Sequence, residues 1–214
     1  MYLIGLTGPS GAGKGLFCKM LKDYGIESID ADAVYHSLLV PPSPCLDALC
    51  IEFGKDILST DGTLNRRKLA AIVFSPENEE EKSARIATLN TITHGYVMRR
   101  TEEILRKHEE NDVKAVIFDA PALYEAGADK QCNLLVTVIA SKETRLRRII
   151  ERDGLSEEEA EKRIRAQHPD EFYTTRAHKV FSNDGTEEEF RSAVCTFYHD
   201  ILLPRISASQ GGIS

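Results

Sequence analysis

The stretch that most constrains the fold is the opening run MYLIGLTGPSGAGKG. Residues 2–7, YLIGLT, are a short apolar run, which fits a strand buried on both faces of a parallel sheet. It passes without a break into GPSGAGKG at 8–15. Gly8, four further residues, Gly13 and Lys14 follow the spacing of a phosphate-cradling loop. In such a loop glycines let the backbone curl so that successive N–H groups point inward at phosphate oxygens. A helix predicted from Lys14 to about Tyr24, ended by Gly25, brings its positive end to the same place. A Gly-rich turn with no ligand would use the same letters, but the strand before and the helix after favour a nucleotide site, with Gly8, Gly11, Ala12, Gly13, Lys14 and Gly15 around the phosphates. The pattern wants Ser or Thr after the lysine, and this chain has Gly15. That hydroxyl normally ligates Mg²⁺. Glycine has no side-chain oxygen, so the expectation is Mg²⁺ held through water, with weakened rather than abolished Mg–nucleotide binding.

Four more runs look like strands: ESID at 27–30, VKAVIFD at 113–119, LLVTVIA at 134–140 and KVFSN at 179–183. Helical sequence separates them, and this alternation predicts an α/β fold with a parallel sheet covered by helices on both faces. Between Asp32 and Asn111 the strand signal disappears. Residues 75–111 start like a helix, with Ser75 as N-cap and Pro76 at its first position. Ile86, Leu89, Val97, Ile104 and Leu105 give that helix one apolar face, with Gly95 a candidate bend. A helical subdomain inserted in one sheet connection is the expectation. Residues 141–178 are charged and helical, broken by Gly154, and SEEE at 156–159 reads as a capping box. Solvated helical faces explain most of the arginines there. A last helix, about 186–203, turns Phe190, Val194, Phe197, Ile201 and Leu202 to the core, and the tail SASQGGIS is expected to fray.

Two acidic places stand at strand ends, where parallel sheets line their ligand crevice. IDADAVYH (29–36) puts Asp30 and Asp32 just after a strand. Asp32 there can accept a hydroxyl proton or hold Mg²⁺ through water; alternatively it caps a helix beginning at Ala33. Asp119 ends VIFD, where it would orient metal-bound water, or else serve as a turn residue before Pro121.

Composition removes other classes. The 214 residues, 42% hydrophobic, suit one α/β domain with a small helical insert. The net charge of -7, from 27 basic against 34 acidic residues, argues against a nucleic-acid binder. None of the five cysteines forms a CxxC pair, so metal ligation by thiols is not expected. Their odd number, with no leader segment, suggests a reducing cytoplasm, and no apolar run reaches the roughly 18 residues of a membrane span.

Taken in order, several segments resemble one family, dephospho-CoA kinase. They are GLTGPSGAGKG, IDADAVYH, FGKDILSTDGTLNRRKLAAIVF (53–74), LNTITH (89–94), VIFDAPALYE (116–125), RRIIERDGLSEEEAEKRIRAQ (147–167) and SNDG (182–185). The resemblance implies a P-loop kinase-like core of five parallel strands formed by residues 1–31 and 112–208. It also implies a helical CoA-binding insert at 32–111 and a lid at about 142–178. The implied reaction is transfer of phosphate from ATP to the 3′-hydroxyl of dephospho-CoA, with Mg²⁺ near Asp32 and Asp119. Asp32 matches the proposed general base, and Lys14 the phosphate cation. Arg148 and Arg152 match lid cations, Asn183 a loop bordering the adenine, and Arg67, His94 and Asp119 the acceptor side. This sequence departs from the family at Gly15, at Gly95 where proline is usual, and at Ala177-His178 where an Ala-Asp pair is common. A kinase of another nucleoside or nucleotide, or a catalytically weakened nucleotide-binding homologue, stand as the alternatives.

Overall fold

The computed structural model describes residues 1–75 and 78–210. Its strands are β1 (Tyr2–Thr7), β2 (Glu27–Asp30), β3 (Ala115–Asp119), β4 (Leu134–Ile139) and β5 (Lys179–Ser182). The longer helices are α1 (Lys14–Lys22), α2 (Ala31–Ser37), α3 (Pro44–Phe53), α4 (Arg66–Phe74) and α5 (Glu79–Glu110) in the first half of the chain. In the second half they are α6 (Lys142–Asp153), α7 (Glu157–Arg165), α8 (Asp170–Thr174), α9 (Glu187–Phe197) and α10 (Leu203–Gln210). Two compact units result, one of Met1–Asp30 with Lys107–Ser214, the other of Ala31–Arg106.

The first unit is built on the sheet. Its five strands run in the order β2-β3-β1-β4-β5, every neighbouring pair parallel. All six residues of β1 are buried, as the apolar run requires of a central strand. From β1 the chain crosses to one side to make β2 and β3, then returns to the other for β4 and β5. The carboxyl end of β1 therefore lies where the strand order reverses, the place where open α/β sheets bind ligands. Phe17 of α1 fixes the helix to this sheet, its ring 5.2 Å from that of Phe181 and 6.1 Å from that of Phe197. Phe190, Val194, Phe197 and Leu202 are all buried in the same core, and Ile201 packs against it.

The last helix runs further than its sequence suggests. From α9 the chain passes through a π-helical turn at Tyr198–Leu202 directly into α10. Ile206, buried in the core, holds this extension down, so residues 207–210 of the expected frayed tail are helical, and 211–214 lie outside the described residues. In the charged segment, Gly154 takes φ 64° to end α6, and the Ser156–Glu159 capping box starts α7 as its sequence predicts.

The second unit is helical and has its own core. Leu39, Cys45, Leu49, Ile57, Leu69 and Val73 are buried together, with Ile86, Leu89, Ile92 and Tyr96 of α5 packed against them. Ser43 caps α3 by accepting from the Leu46 N–H, and Asn65 caps α4 by accepting from the Lys68 N–H. The start of α5 differs from expectation. Ser75 closes α4, donating its N–H to the Ala71 carbonyl at 3.2 Å. The cap of α5 is Asn78, whose Oδ1 accepts from the Glu80 N–H at 2.8 Å. Pro76 lies outside the described residues. α5 continues through Gly95 over 32 residues. An interior glycine costs about 1 kcal/mol against alanine, which the apolar contacts of so long a helix offset. All five cysteines are free thiols, and among the described residues no helix is long and apolar enough to cross a membrane.

Candidate active site

The phosphate loop links β1 to α1, and its glycines sit where only glycine fits. Gly8 has φ 137° and Gly13 φ 106°, both in the left-handed half of backbone space. A side chain at Gly8 would run into the Val138 carbonyl oxygen, and one at Gly13 into the Asn183 amide. Gly13 stands at the N-cap of α1 and supplies no side-chain cap. The first amides of α1, at Lys14 and Gly15, have no acceptor within the helix, and they join the positive end of the helix macrodipole. This is the local chemistry of an anion site. The Lys14 ammonium folds back over it, with Nζ donating to the Gly8 carbonyl at 3.0 Å.

Gly15 is different from the other glycines of the loop. It is exposed and helical, and a Cβ built on it meets nothing within 4 Å. No packing or backbone constraint demands glycine here. Gly15 lies with Cys18, Lys19 and Lys22 on one face of α1, beside a cavity of about 300 Å³ whose far wall is Ser28, Asp30 and Asp119. The register pairs Asp30 with Asp119 on adjacent parallel strands, so both carboxylates come to one end of the sheet. Among the described residues no group of three or more His, Cys, Asp or Glu forms a protein cage for a metal. A pair of carboxylates at one cavity nevertheless suits Mg²⁺, which keeps several waters and is commonly held through one or two carboxylates plus phosphate oxygens.

Cys18 shares this cavity, and its surroundings disfavour the thiolate. Burial, then the neighbouring Asp119, pushes its thiol up to about 12, against a hydrogen bond from Ser28 and the charge of Lys14. Because the thiolate is the reactive form, alkylation of Cys18 by iodoacetamide at pH 8 is expected to run at least about 100-fold slower than that of a free thiol. Its rate is expected to rise with each pH unit up to 10; peptide mass spectrometry reads both effects.

The charged helical segment contributes to the loop in an unexpected way. Arg148 of α6 donates Nη1 to the carbonyls of Gly11 and Ala12, both at 3.3 Å, and Nη2 to the Asn183 carbonyl at 3.0 Å. Asn183 is 2% exposed, and its Nδ2 donates to the Ala12 carbonyl at 2.8 Å. Both residues thus brace the back of the loop, whatever else they touch. Arg152 is held differently. Its Nε and Nη2 form a bidentate pair with Asp153 at 2.7 and 2.8 Å, and Arg163 reaches the same carboxylate. The Arg152 Nη2 also lies 3.5 Å from the Ser10 hydroxyl.

Sequence reasoning missed Arg145, which lies among the arginines that solvated helical faces were expected to explain. It is 5% exposed, and its Nε donates to the Ser10 carbonyl at 3.1 Å. A signal was available: Arg145 lies four residues before Ile149, the other buried residue of α6, and so on its inward face. The three remaining candidates belong to the helical unit. Asp32 is the second residue of α2 and exposed, so it is not the cap of a helix beginning at Ala33. Arg67 is exposed in the first turn of α4, and His94 half-buried midway along α5.

Comparison with known proteins agrees with this geometry. The family model for dephospho-CoA kinase matches residues 2–189. A dephospho-CoA kinase of Corynebacterium glutamicum is 36% identical over 202 residues, covering 94% of this chain and 98% of that protein. Its counterpart in Corynebacterium efficiens is 37% identical over the same shares. A crystal structure of a Thermus thermophilus protein superposes with TM-score 0.74 at 31% identity, covering 94% of this chain and 97% of the other. That of the Campylobacter jejuni dephospho-CoA kinase gives 0.66 at 24% identity, covering 95% and 98%, a likeness of fold. A glycine-rich loop at the switch point of a five-stranded parallel sheet, and a match running through nearly the whole sequence, place this chain in the dephospho-CoA kinase family.

Proposed function

We infer that the chain transfers the γ-phosphoryl group of ATP to the 3′-hydroxyl of dephospho-CoA, giving CoA and ADP. Family membership over residues 2–189 is the observation that carries this reading. It does not favour the alternatives of another nucleoside acceptor or a weakened homologue. Phosphoryl transfer asks a protein for positioning and charge neutralisation more than for covalent help. Gly8 and the amides from Gly11 to Gly15 bind the phosphates, and Lys14 neutralises charge on the transferring group. Arg148 and Asn183 keep the loop in shape. Arg152 exchanges Asp153 for phosphate oxygens as the lid closes. Asp32 orients the acceptor hydroxyl and takes its proton. The helical unit, with Arg67 and His94, binds the acceptor. Asp119, with Asp30 beside it, would hold Mg²⁺ through waters, and the ion would supply charge neutralisation on the phosphates. Five free thiols fit a reducing, cytoplasmic setting.

The test is ADP release in a coupled assay with ATP and Mg²⁺. Release is expected only when dephospho-CoA is present; release with some other nucleoside and none with dephospho-CoA would overturn the reading. The open space at Gly15 gives a second expected result. Gly15→Thr restores a metal ligand without a clash and is expected to tighten Mg·ATP binding by about 3- to 10-fold, the scale of one added ligand or hydrogen bond. Calorimetric titration of ATP with and without Mg²⁺ measures it. An equal change in both titrations would show that the hydroxyl plays no part in holding metal here.

A further inference from the structure

Ser10 is the half-buried shoulder of the phosphate loop, between Pro9 and Gly11. Gly8 and Gly11 take φ 137° and 81°, in the half of backbone space that glycine reaches readily. The two peptide groups that meet at Ser10 are nevertheless both held, and from outside the loop. Gln167, just past the end of α7, accepts the Ser10 N–H on Oε1 at 3.2 Å. Arg145 donates Nε to the Ser10 carbonyl at 3.1 Å. The two clamping side chains are themselves joined, Arg145 Nη2 donating to the same Gln167 Oε1 at 2.6 Å. Asp170, at the start of α8, lies 3.5 Å from Arg145 Nη1. Burial lowers the pKa of the Arg145 guanidinium and Asp170 opposes that shift; an arginine stays charged throughout. Its hydrogen bonds are therefore of the stronger, charge-assisted kind.

We propose that Gln167 and Arg145 are positioning residues for ATP, fixing the two peptide planes at Ser10 so that the loop is already shaped for phosphate, and tying that shape to the lid through the end of α7. The proposal rests on reading this loop as the ATP site. Neither side chain has to touch the nucleotide. Their contribution is to order a glycine-rich segment before the ligand arrives, which spares ATP the entropy of ordering it. Gln167 is the informative partner, because one oxygen accepts both donors. An acceptor at this position is required and its amide nitrogen is not.

That difference makes the test. Gln167→Met keeps the length of the side chain and removes the acceptor; Gln167→Glu keeps an oxygen for both donors. ATP affinity by calorimetry, the KM of each substrate and the melting temperature are measured for wild type and both variants. Gln167→Met is expected to weaken ATP binding by about 5- to 30-fold, the loss of one to two net hydrogen bonds, with the KM for dephospho-CoA within about two-fold. Gln167→Glu is expected to recover ATP affinity to within about three-fold of wild type. Unchanged ATP affinity in Gln167→Met would overturn the proposal. So would a loss that glutamate does not rescue, or a parallel loss for both substrates with a lowered melting temperature, since a merely structural residue would give those. Absence of ATP binding by the wild-type protein would instead overturn the ATP reading itself, and that is seen before any variant is compared.

Discussion

Asp32→Asn is expected to lower kcat for dephospho-CoA phosphorylation by about 10²-fold or more while ATP affinity stays within about two-fold, the range for loss of a positioned acid–base group. The substitution keeps size and polarity and removes only the charge and the ability to take a proton. Its structural cost is small. Asp32 is exposed and lies inside the first turn of α2 rather than at a cap. An acid there interacts with the helix dipole for about 0.3–1 kcal/mol, which in a chain of this size moves the melting temperature by only a few degrees. A two-decade loss of turnover at an unchanged melting temperature therefore does not come from unfolding. In a loose transition state the hydroxyl proton leaves late, so much of the effect is orientation of the acceptor oxygen. Turnover from coupled ADP release, with ATP affinity by calorimetry, checks the result. A loss of less than about five-fold would reduce Asp32 to a helix residue.

The sheet was legible because each strand announces itself by an apolar run, and each run lies between helical segments. Its ends were less so. Val113 and Lys114 read as strand but precede it, since β3 begins at Ala115, the residue paired with Tyr2. Pairing, which depends on another segment of chain, decides where a strand starts. The loop was legible for a different reason: its glycines answer a backbone demand that no other residue meets, at Gly8 and Gly13 above all. The clamp on Ser10 was hidden. Arg145 and Gln167 are 22 residues apart and meet only because the chain turns back between α6 and α7. In sequence an arginine among arginines looks solvated, and a lone glutamine after a helix carries no signal. The cap of α5 was misplaced for a local reason, Ser75 and Asn78 both being good N-cap residues; α4 runs on through Phe74 and takes Ser75 as its last turn.

Lys14→Met is expected to lower kcat/KM for ATP by about 10²- to 10³-fold, the scale for removing one charge aimed at a transition state. Methionine keeps most of the stem and deletes the ammonium. That group already lies across the loop, 3.0 Å from the Gly8 carbonyl, so no rearrangement of α1 is needed to bring it to phosphate. Part of the loss belongs to the ground state: ATP affinity is expected to fall by about 10-fold, from one charge-assisted hydrogen bond. The remainder appears in kcat, because negative charge develops on the leaving oxygen as its bond to the transferring group breaks. Lys14→Arg is not expected to restore the rate. A planar guanidinium cannot replace a compact ammonium on a flexible stem, and the turn beneath it, with Gly8 pressed against Val138, leaves no freedom to compensate. Steady-state kinetics beside calorimetry separates the two parts. If ATP affinity and kcat/KM fell by the same factor, Lys14 would be a binding residue alone. If arginine restored turnover, the geometric argument for lysine would fail.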